Sequence, residues 1–115
     1  MEAIEQGIRQ EIEAQRYPSV EKLAADLGKS RQSLHRGFRQ STGQSIKTYI
    51  TGAVMKAALR LLREQRLPPA AVAYQLGYME QTSFNHQFKD CYGLSPTEAR
   101  DAAEAPRMKN SRNMK

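Results

Sequence analysis

Four positions in this chain recur about fifty residues later. Gly28, Leu34, Phe38 and Gly43 are answered by Gly77, Phe84, Phe88 and Gly93. The offset is 49 at the first pair and 50 at the other three, so the second turn carries one extra residue. Leu27 and Leu76 stand just before the two turn glycines. A glycine at such a place closes a preceding helix in the left-handed conformation at no steric cost. Two apolar residues four apart then give the next helix a narrow apolar stripe. Each copy therefore reads as helix, tight turn, helix, and the pair as an internal duplication.

The rest of the chain fits around that repeat. Ile4, Ile8 and Ile12 predict a first helix over residues 2–15, which Tyr17-Pro18 ends, because the residue before proline is pushed out of the helical region. Ser19 suits the N-cap of a second helix from Val20 to Leu27, with Val20, Leu23, Ala24 and Leu27 facing inward. Ser30 caps a third helix running to Thr42. A longer helix opens at Ser45 and reaches about Gln65, with Ile46, Tyr49, Ile50, Ala53, Ala57, Leu61 and Leu62 at three- and four-residue spacing. Gly52 is its weak point. Leu67-Pro68-Pro69 breaks the chain before a fifth helix to Leu76. A sixth spans Glu80–Tyr92, and Ser95-Pro96 opens a seventh through Ala103. No strand pattern occurs. The expected fold is all-α, with two helix-turn-helix subdomains at 1–44 and 67–105, a linker helix at 45–66, and a disordered basic tail at 106–115.

The net charge of +6 is unevenly distributed. Residues 1–27 carry −3, residues 28–66 carry +8, residues 67–105 carry −3 and residues 106–115 carry +4. Between 28 and 66 there is a single acid, Glu64. Such a belt points to a polyanionic partner. The third helix combines its apolar stripe with Arg31, Gln32, Ser33, His35, Arg36 and Arg39 elsewhere, which suits the DNA major groove as well as a solvated surface.

Other classes find little support. Two histidines and one cysteine, with no HExxH, CxxC, GxSxG or glycine-rich phosphate loop, speak against an enzyme and imply no metal or cofactor. Cys91 cannot form an internal disulfide and reads as a small core residue in a reducing compartment. No apolar run is long enough to span a membrane, and the first residues do not resemble a signal peptide. The few aromatics fall on inner faces, which argues against a single-strand stacking platform, and no RNA-specific motif is present. The main rival is a helical interaction module whose basic belt binds an acidic protein.

The repeat resembles the DNA-binding domain of the AraC/XylS family of bacterial transcription regulators. The second copy carries Leu76-Gly77-Tyr78, Thr82-Ser83-Phe84, Phe88-Lys89, Gly93-Leu94-Ser95-Pro96 and Arg100. The first carries Leu23-Ala24, Ser30, Leu34, Arg36, Phe38, Gly43 and Ser45, followed by Tyr49 and Ile50. The resemblance covers residues 4–104. It departs at His86, where the family commonly has arginine, and at Glu80, where it prefers Asp or Ser. It departs also at Val54, a frequent arginine, and at Ala99, a frequent tyrosine. What it implies is a monomeric, cytoplasmic, nucleoid-associated regulator, more commonly an activator, that reads two successive major-groove segments of duplex DNA. RNA polymerase is a further partner it admits. The size resembles that of stand-alone members, and equally that of a domain excised from an effector-sensing regulator.

By resemblance and by lying opposite the apolar stripe, Gln32, His35 and Arg36 are candidates for base contacts on the third helix. Gln81, Thr82, Asn85 and His86 are their counterparts on the sixth. Arginine suits guanine, and glutamine suits adenine. Lys29, Arg31, Arg39, Lys47 and Lys89 are candidates for phosphate contacts.

Overall fold

A computed structural model describes residues 2–109. It contains seven helices and no strand among them: α1 Glu2–Glu13, α2 Val20–Asp26, α3 Arg31–Thr42, α4 Ile46–Arg63, α5 Pro69–Gln75, α6 Gln81–Tyr92 and α7 Pro96–Asp101. The two expected helix-turn-helix pairs are α2–α3 and α5–α6, and α4 joins them. Gly28 and Gly77 sit in the turns with φ of 68° and 85°, where an L side chain would be strained. Each turn closes in the same way. Lys29 N–H donates to Ala24 O at 2.9 Å, and Tyr78 N–H donates to Ala73 O at 3.0 Å.

The helix α4 is the shared wall. On one side it meets α1 and α3, and on the other α5, α6 and α7. Ile46, Ile50, Val54, Met55, Ala57, Ala58 and Leu62 are buried along it. A single-stripe reading of α4 misses Val54, Met55 and Ala58 and overstates Tyr49, Ala53 and Leu61, which are only partly covered. A helix packed between two sets of neighbours buries a wider arc than a surface helix. Val54, a departure from the resembled pattern, belongs to that core with no exposed surface. Aromatic rings continue the packing through the second half: Tyr78–Phe84, Phe84–Phe88 and Phe88–Tyr92 have centroids 5.3, 5.8 and 4.7 Å apart. The Tyr92 hydroxyl donates to Met55 O at 3.2 Å, tying α6 to α4.

Several boundaries are shorter than expected. The α4 ladder stops at Arg63, because Arg66 turns left-handed at φ 56° and Leu67 N–H reaches back to Leu61 O at 3.3 Å. At 1.5 Å per residue its 18 residues give a rod of about 27 Å. In α1, Gln15 adopts φ 62°, and Arg16 N–H donates to Glu11 O at 2.9 Å. The expected tail divides in two. Residues 106–109 do not hang free: Met108 packs against the core, in a groove between α1 and α4 that offers apolar surface from Ile8, Ile12, Tyr49 and Ala53. Residues 110–115 lie outside the described residues.

One acid is buried. Glu11 is only 7% exposed and accepts from Arg16 Nε at 2.9 Å and Nη2 at 3.2 Å, with Lys22 Nζ 3.8 Å away. The Arg16 hydrogen bonds outweigh desolvation and hold the Glu11 carboxyl below its ordinary value of 4.5. Its stabilisation is complete above that ordinary value and is lost as pH falls through the lowered one. Melting curves between about pH 7 and pH 3 should therefore show Glu11→Gln less stable at neutral pH. Below 4.5 the variant should have a shallower acid slope than the parent. A second expectation concerns Gly52. A Cβ added there meets nothing within 4 Å, so Gly52→Ala should raise the unfolding free energy by about 0.5–1 kcal/mol in urea titrations.

Candidate nucleic-acid interface

Two exposed polar helix faces are built from equivalent residues. On α3, Leu34 and Phe38 point inward, while Gln32 and Arg36 are exposed and His35 is half-buried. Arg39 follows one turn later on the same face. On α6, Phe84 and Phe88 are fully buried, while Gln81, Thr82, His86 and Lys89 are exposed. These four, with Asn85, line one cleft of about 440 Å³, whose other wall is Ser95, Pro96 and Thr97 at the start of α7. No motif in the sequence reports that second wall. Gly93, left-handed at φ 79°, turns the chain so that α7 begins beside α6. Lys29 lies exposed in the first turn, and Lys47 lies exposed at the start of α4.

The helix entrances differ between the copies. The Ser30 hydroxyl accepts from Ser33 N–H at 3.1 Å and caps α3. Glu80 holds the same place before α6 without a side-chain cap. Its carboxylate accepts from the Thr82 hydroxyl instead, at 3.5 Å. Asn85 also stands apart from the other candidates. Its Oδ1 is buried and has no hydrogen-bond partner among the described residues.

The belt of nine bases between 28 and 66 separates into two groups. Three are engaged within the fold. Arg31 Nη1 pairs with Glu21 at 2.9 Å across α2 and α3. Arg63 Nη1 donates to Ala99 O at 2.8 Å and Ala102 O at 2.9 Å, satisfying carbonyls at the end of α7. Arg66 Nη1 donates to Arg100 O at 2.8 Å, and its Nη2 lies 3.4 Å from Asp101. The other six, Lys29, Arg36, Arg39, Lys47, Lys56 and Arg60, make no ion pair with a described carboxylate. Lys56 and Arg60 line the α1–α4 groove together with Glu5 and Glu13. Lys29, Arg36, Arg39 and Lys47 remain on the first turn, on α3 and at the start of α4.

The lone cysteine takes no part in this surface. Cys91 is buried, and burial pushes its thiol up, as expected of a core residue. Among the described residues, no His, Cys, Asp and Glu cluster is arranged to hold a metal ion. No described helix is long and apolar enough to cross a membrane.

Comparison with known proteins places this chain in a family. A family described as a helix-turn-helix domain matches residues 23–102. The Msm operon regulatory protein of Streptococcus mutans is 36% identical over 81 residues, which are 70% of this chain and 29% of that protein. The F1 operon positive regulatory protein of Yersinia pestis is 31% identical over 98 residues, 85% of this chain and 32% of that protein. The chain thus spans about a third or less of the length of these curated relatives. Among solved structures, the DNA-binding domain of the global transcriptional factor AdpA, in complex with a target DNA, superposes with a TM-score of 0.73 at 26% identity. The match covers 84% of this chain and 88% of that one. With two glycine-closed helix-turn-helix pairs on one shared helix, and a family match over most of its length, this chain belongs to the AraC-type helix-turn-helix family of transcription regulators.

Proposed function

We propose that the chain binds specific duplex DNA as a monomer, with α3 and α6 entering two successive major-groove segments on one face. The observation that carries this reading is the pair of equivalent exposed polar helices packed on one shared helix, α4. One turn of B-DNA is about 34 Å, and the protein's longest dimension is 41 Å, enough to reach both segments. The similar AdpA domain, in complex with a target DNA, supports DNA as the ligand. In the proposed mode, Gln32, His35 and Arg36 read one segment, and Gln81, Thr82, Asn85 and His86 the other. Lys29, Arg31, Arg39, Lys47 and Lys89 hold phosphates. Arg31 can exchange Glu21 for a phosphate, since an exposed pair of this kind contributes at most about 1 kcal/mol. The function is transcription regulation, and the positive regulator of Yersinia pestis among its relatives favours activation, with RNA polymerase as the second partner. The site of action is the bacterial nucleoid in the cytoplasm.

Selection of bound sequences from random duplex DNA tests the reading directly and supplies the operator. Enrichment of no sequence, or a complex containing two copies per site, overturns it. On the selected operator, five phosphate contacts predict a fall in affinity of about 500-fold between about 50 and 200 mM salt. Arg36→Ala should cost about 1–3 kcal/mol and relax choice at one base pair, whereas Lys47→Ala should weaken all duplexes alike and lower the salt slope by about 1. Arg63→Ala should destabilise the fold by about 1–3 kcal/mol by orphaning α7 carbonyls, and leave the salt slope unchanged.

The two segments should contribute unequally. Four cations with no ion pair among the described residues, Lys29, Arg36, Arg39 and Lys47, lie on or beside α3, while α6 offers Lys89 as its single base and has Glu80 at its entrance. Scrambling the α3 half-site should therefore cost more binding free energy than scrambling the α6 half-site. Equal or reversed losses mean that local charge does not set the order. His86→Arg should narrow the gap.

A further inference from the structure

The helix α4 is not the sole connection between the two helix-turn-helix pairs. The loop after α1 is pressed against the turn between α5 and α6. A Cβ at Gly77 would collide with the Tyr17 amide nitrogen and lie 2.8 Å from the Arg16 carbonyl carbon. Backbone therefore meets backbone at this point, with room for no side chain. The Tyr17 and Tyr78 rings meet edge to face with centroids 5.3 Å apart. Tyr78 in turn packs on Phe84, and its hydroxyl donates to Gln87, both residues of α6.

The loop that makes this contact is itself fixed. Glu11, buried on α1, grips Arg16 through two hydrogen bonds. Arg16 follows the left-handed Gln15 and directly precedes Tyr17. Pro18, the next residue, is buried. A continuous path of ion pair, backbone contact and ring packing thus runs from α1 to the reading helix of the second pair. Residues 11–17, which supply its first half, precede the family-matched residues 23–102.

We infer that Glu11, Arg16, Tyr17, Gly77 and Tyr78 form a latch that fixes the second helix-turn-helix pair relative to the first, and so sets which half-site spacing the protein accepts. These are positioning residues. The inference rests on the proposed two-segment reading of DNA. Moving one half-site by one base pair shifts it by about 3.4 Å along the duplex and rotates it by about 35°. A protein held at two points follows such a shift poorly, whereas one held by α4 alone can bend toward it. Two linked reading units bind tightly only where the geometry lets both engage at once.

The test uses the full chain and a set of operators with zero, one or two base pairs added or removed between the half-sites, together with duplexes carrying one half-site. The parent should bind best at one spacing. Tyr17→Ala should lose about three- to tenfold at that spacing and less at the others, flattening the profile, while affinity for each single half-site is unchanged. Arg16→Ala, whose side chain is largely exposed, should flatten it in the same sense and replaces Tyr17→Ala if that variant does not fold. A folded variant that keeps the parental profile overturns the latch, and so does one that weakens every duplex equally. A parent indifferent to spacing overturns the two-segment reading itself, a distinguishable outcome. An independent readout needs no DNA. Spin labels on Ser41→Cys and Ser83→Cys, both exposed, should give one narrow distance distribution in the parent and a broader one with Tyr17→Ala. An unchanged width also overturns the latch. Cys91 is buried and does not take the label.

Discussion

Burial of α4 along its whole length is the constraint on which the fold depends. Neither helix-turn-helix pair can enclose a core by itself: α2 and α5 are seven residues each, and α3 and α6 twelve. Units of that size are below the range in which a hydrophobic core is self-sufficient. The fold gives both pairs the same wall. Phe38 of α3 meets Tyr49 near the start of α4, and Tyr92 of α6 bonds to Met55 further along. Packing and spacing are therefore one property. The residues that bury α4 also determine how far apart the two exposed helices stand, so a core change on α4 reaches both exposed faces.

The basic residues illustrate how charge acquires different roles in one segment. Composition groups the nine bases of residues 28–66 together. The structure divides them by what lies opposite. Arg63 and Arg66 face the carbonyls at the end of α7, where a guanidinium satisfies acceptors that a helix leaves unpaired. Lys56 and Arg60 face a groove shared with the acids of α1. Lys29, Arg36, Arg39 and Lys47 make no ion pair among the described residues, and they are the cations best placed for an external polyanion. The attraction a DNA ligand would feel is thus weaker than the formal charge of the belt, and more localised.

The repeat made most of this architecture readable in the sequence. Glycines at the turn and at the helix end, with an apolar pair between, specify a local geometry whose φ values the structure reproduces in both copies. The caps at Ser19, Ser30, Ser45 and Ser95 were readable for the same reason, since each is a local hydrogen bond. What the sequence hid depends on distant partners. Glu11 looks like any acid on a solvated helix until Arg16 folds back over it. Val54 and Met55 fall off a single stripe and are buried because α4 has neighbours on two sides. The contact of Tyr17 with Gly77 joins residues sixty positions apart, and no periodicity reports it. Of the candidate contacts, their grouping on exposed faces of α3 and α6 was legible. The burial of Asn85 Oδ1 and the wall of α7 beside it were not.

The two copies differ where α3 and α6 begin. Their apolar pairs correspond, because both pack around α4: Leu34 and Phe38 occupy the places of Phe84 and Phe88. The entrances are under no such constraint. The first copy has a short turn, a serine cap and a lysine beside it. The second has one more residue, an exposed Met79, and a glutamate that leaves the helix without a side-chain cap. A carboxylate there favours the helix dipole but repels a phosphate. What stabilises α6 in isolation thus weakens its approach to DNA, whereas the neutral cap of α3 carries no such conflict. The contact of Tyr17 with Gly77 and Tyr78 bears on this imbalance. If α6 reads DNA, a helix with so little charge of its own gains most from being held in place by the more basic half of the protein.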